Sequence, residues 1–160
     1  PAAEFNMYCD PRSARDVFRS PCTKTLIPLD VTNRIVLTYD LLDELPDEST
    51  KVGAFLRTIL PPAFRAYRQQ FGLEGIHVHD SVALMAVVQP ELFTTEEMAG
   101  DVETTGELTA GATIFDRRRV PAWRHNMEVA IAMDAKKVAE EIAHCLANAA
   151  DRAGPKQGSG

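Results

Sequence analysis

The stretch Gly75-Ile76-His77-Val78-His79-Asp80, followed at once by the apolar residues 81–88, constrains this chain more than any other. Two histidines and a carboxylate stand in alternation just ahead of a helix-like run. An aspartate that opens a helix has an ordinary use, because its side chain accepts from the N–H groups of the first turn. Three polar side chains set against a Val/Ala/Leu run also need partners, and a metal ion or a polar substrate is one kind of partner. The stretch is therefore a helix start and the first place to look for chemistry.

With 160 residues, 45% hydrophobic and 25% charged, the chain has the material for one domain with a proper core. The expected division is a single domain over 1–152 and a flexible tail or expression remnant over 153–160, whose residues offer nothing to a core. A net charge of −6 works against non-specific attraction to nucleic acid or to an anionic membrane. Arg117-Arg118-Arg119, the basic run, reads as a solvated turn. Cys9, Cys22 and Cys145 are odd in number and lack CxxC spacing, which argues against a disulfide scaffold or zinc knuckle and predicts a reducing, cytoplasmic setting. Neither a bilayer-length apolar run nor a signal-peptide pattern is present, so neither membrane nor nucleic acid is an expected partner. The chain opens on Pro1 and reads as the later part of something longer.

Glu4 and Asn6, two apart, point to one side if the backbone there is extended or a loop. Asp10-Pro11 is a helix start, cap then first-turn proline, and Ala14, Val17 and Phe18 mark the apolar face. Residues 25–31 read as a buried strand despite Pro28, and Thr32 or Asn33 as the cap of a second helix through Ile35, Val36, Leu37 and Leu41. A longer helix is predicted from about Thr50 to Phe71, which Pro61-Pro62 must break or kink. Pro90-Glu91-Leu92-Phe93 closes the helix after Asp80. The Thr- and Gly-rich residues 100–116 read as two strands joined near a Gly turn, and 126–134 as a buried strand ending at a cap. Residues 135–150 form an amphipathic last helix on Val138, Ile142, Cys145, Leu146 and Ala149. Strands alternating with helices predict an α/β architecture with a small antiparallel element late in the chain.

The polar candidates, in order, are Glu4, Asn6, Asp30, Tyr67, His77, His79, Asp80 and Asn126. Carboxylate, amide and carbonyl oxygens suit a hard cation, Ca²⁺ or Mg²⁺, whereas zinc favours more His or Cys. A histidine beside a metal-binding aspartate can also donate a proton to a leaving group near neutral pH. The His-Asp pair further fits a metal-dependent phosphohydrolase of the HD type, but that site needs an upstream histidine and none precedes His77. Asp30 and Asn126 read as turn or cap residues, and His77 as a neighbour of the site or a strand-facing residue.

The ordered set Pro1-Ala2-Ala3-Glu4-Phe5-Asn6 with Asp10-Pro11, Pro28-Leu29-Asp30-Val31-Thr32, His79-Asp80 with Pro90-Glu91-Leu92-Phe93, Val102-Glu103, Gly106-Glu107-Leu108-Thr109 and 111–116 resembles the C-terminal half of inosine-uridine preferring nucleoside hydrolases. Each motif is weak alone; their order is specific. The resemblance implies an open, mostly parallel α/β sheet with flanking helices, hydrolysis of the N-glycosidic bond of ribonucleosides to ribose and free base, a tightly held Ca²⁺, and a dimer or tetramer. It implies that Asp80 binds Ca²⁺ and the ribose hydroxyls, and that His79 protonates the departing base. It further implies that Glu4 and Asn6 hold the ribose hydroxyls and that Tyr67 lies in a mobile segment contacting the base.

The departure from the family is equally informative. Its members begin with an aspartate cluster, DxDxGxDD, that supplies most calcium ligands and the general base, and this chain has none. One carboxylate does not fill a site that takes about six to eight oxygens. The expectation is a fragment or one part of a split enzyme, inactive alone, whose partner is the N-terminal half on the same or a separate chain. The alternative is a truncated, non-catalytic interaction module with the same partial fold.

Overall fold

The computed structural model describes residues 2–149. The chain divides into two compact units: residues up to Val31 with Phe93–Met133, and Thr32–Leu92 with the chain from Asp134 onward. In chain order the first unit holds α1 (Phe5–Cys9), α2 (Pro11–Arg19), β1 (Thr25–Leu26) and most of α3 (Leu29–Thr32). The second continues with β2 (Leu37–Thr38), α4 (Leu41–Glu44), α5 (Lys51–Phe71), β3 (Gly75–Ile76), α6 (His79–Val88) and a 3-10 turn at Pro90–Leu92. The first unit then resumes with β4 (Phe93–Met98), β5 (Gly100–Val102), β6 (Thr113–Phe115) and β7 (Met127–Met133), and α7 (Ala135–Ala147) returns to the second.

In the first unit β7 is the middle strand, parallel to β1 on one side and antiparallel to β4 on the other. Its central place follows from its residues: Met127, Val129 and Ala130 are buried, and the first two join Phe18, Met98 and Val102 in one core cluster. The helix α2 starts as its sequence predicts, with the Asp10 carboxylate accepting the Ser13 N–H at 3.0 Å and Pro11 in the first turn. Charge then fastens α2 to β5. Arg19 donates twice to Asp101, and Arg15 donates to the Val102 carbonyl at 2.7 Å. Burial raises the Asp101 pKa, but the Arg19 hydrogen bond, the Val102 N–H and the two guanidinium charges outweigh it and hold the carboxyl below its ordinary value. The Asn126 amide accepts from the Gly100 N–H and donates to the carbonyls of Phe18 and Gly100, a structural role as expected. The antiparallel pair β5–β6 matches the two strands predicted for 100–116.

In the second unit β2 and β3 form a short antiparallel pair, with Leu37 opposite Ile76 and Thr38 opposite Gly75. Asp134 caps α7 by accepting the Lys137 N–H, and Val138 and Ile142 turn inward where α7 packs on α4 and α6. Arg57 of α5 donates to the carbonyls of Leu42, Leu45 and Pro46, which satisfies acceptors left at the end of α4.

Several sequence expectations are corrected. The helix α5 runs unbroken through Pro61 and Pro62. The two lost donors are tolerated because the next turn buries Phe64 completely and stacks it on Tyr39 at 4.4 Å. The strand predicted for 25–31 stops at Leu26, and residues 29–32 wind into α3, since Pro28 has no N–H for a ladder and its carbonyl accepts the Val31 N–H instead. The helix predicted through Ile35 to Leu41 is replaced by β2 and α4. Strand β4 was not foreseen; four of its six residues are exposed Thr and Glu. Cys145, expected on the apolar face of α7, is exposed, and α7 ends at Ala147. The predicted tail, 153–160, lies outside the described residues. The α/β class with flanking helices holds, its parallel character in the described residues carried by β1–β7. No described helix is long and apolar enough to cross a membrane.

Candidate active site

The second unit sets Tyr67 beside the histidine rings of the His-Asp stretch. Strand β3 reaches β2 closely because residue 75 is glycine: a Cβ there would stand 2.4 Å from Val36 Cγ1 and 2.5 Å from the Leu37 carbonyl oxygen. One residue beyond β3 comes His77, and Val78 then turns the chain into α6. His79 is the first residue of that helix and Asp80 the second. Val78, not Asp80, occupies the cap position and makes no side-chain cap bond, so the capping use expected of Asp80 is corrected. Its carboxylate instead sits exposed in the first turn, where the helix dipole complements an anion.

Each imidazole is tied back to one segment of chain. His77 Nδ1 lies 2.9 Å from the Ile35 carbonyl, which can only accept, so that nitrogen carries the hydrogen. His79 Nδ1 lies 2.8 Å from Thr32 Oγ1, and Thr32 is the buried polar residue of the core at 2% exposure. Thr32 and Ile35 close a single turn through the Ile35 N–H and Thr32 carbonyl. The two rings stack 5.3 Å apart and 18° from parallel. Tyr67, from the last turns of α5, stands 6.3 Å from His77 and 5.4 Å from Phe71. Tyr67, His77 and His79 are thus brought together, with Asp80 next in the chain. The sequence reading missed Thr32 and Ile35, because a contact spanning 42 or 47 residues leaves no local pattern.

Glu4 and Asn6 are brought together in the first unit. Glu4 keeps an extended backbone while Asn6 lies inside α1: Glu4 caps that helix, accepting the N–H groups of Asn6 at 2.9 Å and Met7 at 3.2 Å, and the Asn6 amide donates to Glu4 Oε1 at 3.1 Å. A carboxylate two and three residues ahead of free helix N–H groups captures them, and the segment curls. The helix α1 rests on Gly111, whose φ of +84° favours glycine and whose Cβ would meet Tyr8 Cα at 2.8 Å.

No group of three or more His, Cys, Asp or Glu among the described residues is gathered so as to hold a metal ion. Asp80 offers one carboxylate where calcium takes about six to eight oxygens. The residues present do not by themselves fit a calcium site.

A sequence profile described as inosine-uridine preferring nucleoside hydrolase matches residues 1–140. The chain belongs to that family. Among its nucleoside hydrolase relatives, the non-specific ribonucleoside hydrolase RihC of Escherichia fergusonii is 38% identical over 149 residues, which are 93% of this chain and 47% of that protein. RihC of Shigella boydii is 38% identical over 92% of this chain and 47% of its own length. Among solved structures, a purine-preferring ribonucleoside hydrolase from Gardnerella vaginalis superposes with a TM-score of 0.84 at 32% identity, covering 94% of this chain and 48% of that one. A plant nucleoside hydrolase gives 0.81 at 26% identity, over 92% and 48%. The chain therefore spans about half the length of the curated nucleoside hydrolases it matches.

Proposed function

We propose that this chain supplies the C-terminal part of a calcium-dependent ribonucleoside N-glycosidase, with residues 1–152 forming part of a single domain completed by the N-terminal half of the enzyme. The observation that carries the reading is the ring of His79, fixed at Nδ1 by Thr32 beside the carboxylate of Asp80 at the start of α6. In the reaction the C1′–N bond breaks with its electron pair going to the base, the oxygen of water bonds to C1′ and gives up one proton to a general base outside this chain, and the departing base takes up a proton. Positive charge grows on the sugar and negative charge on the base, so catalysis needs a held ribose and a proton donor. In this reading His79 gives the proton to the base, Glu4 and Asn6 hold ribose hydroxyls, and Tyr67 contacts the base. Asp80 contributes one carboxylate to the ribose and to a calcium ion whose other ligands lie outside this chain. The complete enzyme is read as a homo-oligomer, by likeness to its family, acting in cytoplasmic nucleoside salvage.

The test is reconstitution of the complete enzyme and measurement of base released from inosine and uridine, with and without a chelator. Release by the complete assembly, its loss on chelation, and none from this chain alone are the expected results. An inactive complete assembly overturns the proposal. The second reading, a non-catalytic interaction module, draws on the exposed Leu84, Val87 and Val88 of α6. Calorimetry separates the two: tight, calcium-independent binding of a protein partner with no response to ribose or nucleoside favours the module.

A further inference from the structure

We infer that the loop joining β6 to β7, residues 117–124, is a contact between copies of the enzyme, its unpaired arginines seated on the exposed carboxylates of residues 40–48 of a second copy. The inference deepens the reading of the complete enzyme as a homo-oligomer and rests on it.

Three observations carry it. The loop is held in shape by Asp116, whose side chain is only 4% exposed. That carboxylate accepts from Arg118 Nε at 2.7 Å and Nη2 at 2.6 Å, and from the Ala122 N–H at 2.7 Å. The Asp116 N–H in turn donates to the carbonyl of the fully buried Ala99. A loop tied in this way has lost conformational freedom before any partner arrives, which favours binding and is of no use to a solvated turn.

The clamp also occupies a single arginine of the loop. Arg117, Arg119 and Arg124 are exposed and have no carboxylate partner among the described residues. Between them in the chain, Val120 is 81% and Trp123 47% exposed. Glu97 of β4 is turned to His125, at 3.8 Å. Arginine and tryptophan without lysine or glutamate is the composition of the centre of a protein contact.

Finally, the same chain carries the complement. Asp40, Asp43, Glu44, Asp47 and Glu48 are exposed, and no Lys or Arg lies among them. Arg57, which packs there, directs its guanidinium to the carbonyls of Leu42, Leu45 and Pro46. Opposite charges on two copies attract each other and fix the register of the contact. The net charge of −6 works against a polyanion in the same place.

The test is sedimentation velocity of the complete enzyme at low and high salt. A chain with Arg117→Glu, Arg119→Glu and Arg124→Glu is expected to self-associate about 10- to 100-fold more weakly, with less dependence on salt and an unchanged circular dichroism spectrum. A chain with Asp43→Lys, Glu44→Lys and Glu48→Lys should weaken similarly. Mixing the two should restore association to within about threefold of the parent, because every loop then faces a stretch of opposite charge. Should the glutamate variant fail to fold, replacement of the same arginines by Gln gives the same comparison. Unchanged association in the arginine variant, or no restoration on mixing, overturns the contact; if that variant instead loses binding to polyphosphate, the occupant is a polyanion. A parent enzyme that is monomeric at both salts overturns the homo-oligomer reading itself, and base release from inosine tests the catalytic reading separately.

Discussion

At the scale of single residues, the two imidazoles are held by partners distant in sequence. Replacing His79 with Ala in the complete enzyme should lower turnover on inosine by about 100- to 10,000-fold and on an activated nitrophenyl riboside far less, the signature of a lost general acid. Steady-state kinetics on the two substrates checks this; equal losses would contradict the role. Thr32→Val keeps the shape of a buried residue and removes the hydroxyl 2.8 Å from His79 Nδ1. It should cost about 1–3 kcal/mol in urea unfolding, as expected when a partly buried polar group loses a partner. The sequence marked His79 and Asp80 by their alternation before an apolar run. It did not mark Thr32, which looks like any helix cap until the fold sets it against a histidine. Glu4 and Asn6 stand out through resemblance, and the bonds between them are not legible because a five-residue helix opening at Phe5 has no pattern of its own.

At the scale of elements, local signals were legible wherever a cap or a buried run dominated: Asp10-Pro11 for α2, Asp134 for α7, and the apolar residues of β7. They failed where tertiary contact overrode them. Strand β4 has Thr94 to Glu97 facing water and is held by its pairing to β7 rather than by any pattern of its own. The double proline of α5 is carried by packing of Phe64, so Pro62→Ala, at an exposed site, should restore a backbone donor and stabilise the enzyme by about 1–3 kcal/mol in chemical denaturation. Gly111→Ala should loosen α1, since the new Cβ collides with Tyr8 backbone at a positive φ. The expected result is a loss of at least about 1 kcal/mol and a raised KM for nucleoside, because Glu4 and Asn6 ride on that helix. The tie between α2 and β5 is pH-dependent. The pKa of Asp101 is lowered on folding, so its contribution is complete above the ordinary carboxylate value and disappears as pH falls through the folded one. Asp101→Asn should therefore destabilise the protein at pH 7 and make little difference at the most acid pH where it stays folded; denaturation at both pH values checks the sign.

At the scale of the whole molecule, the chain carries the proposed proton donor His79, the proposed ribose-binding pair Glu4 and Asn6, and the Asp80 carboxylate, but not a metal-binding cluster among its described residues. Its relatives are about twice as long. Calcium titration of this chain alone should give no tight binding, and the same titration of the complete enzyme should give it; tight binding by the chain alone would show that more ligands lie here than Asp80. The class of the fold was legible because strands and helices alternate. The contacts of Thr32 and Ile35 with the histidines were not, since partners 42 and 47 residues apart leave no local pattern.

The turn from Thr32 to Ile35 has a kinetic meaning as well. Because the Ile35 carbonyl meets His77 and the Thr32 hydroxyl meets His79, one opening of the turn disturbs a contact of each ring. Amide exchange at Ile35, whose N–H closes that turn on the Thr32 carbonyl, should then report how often the pair comes undone.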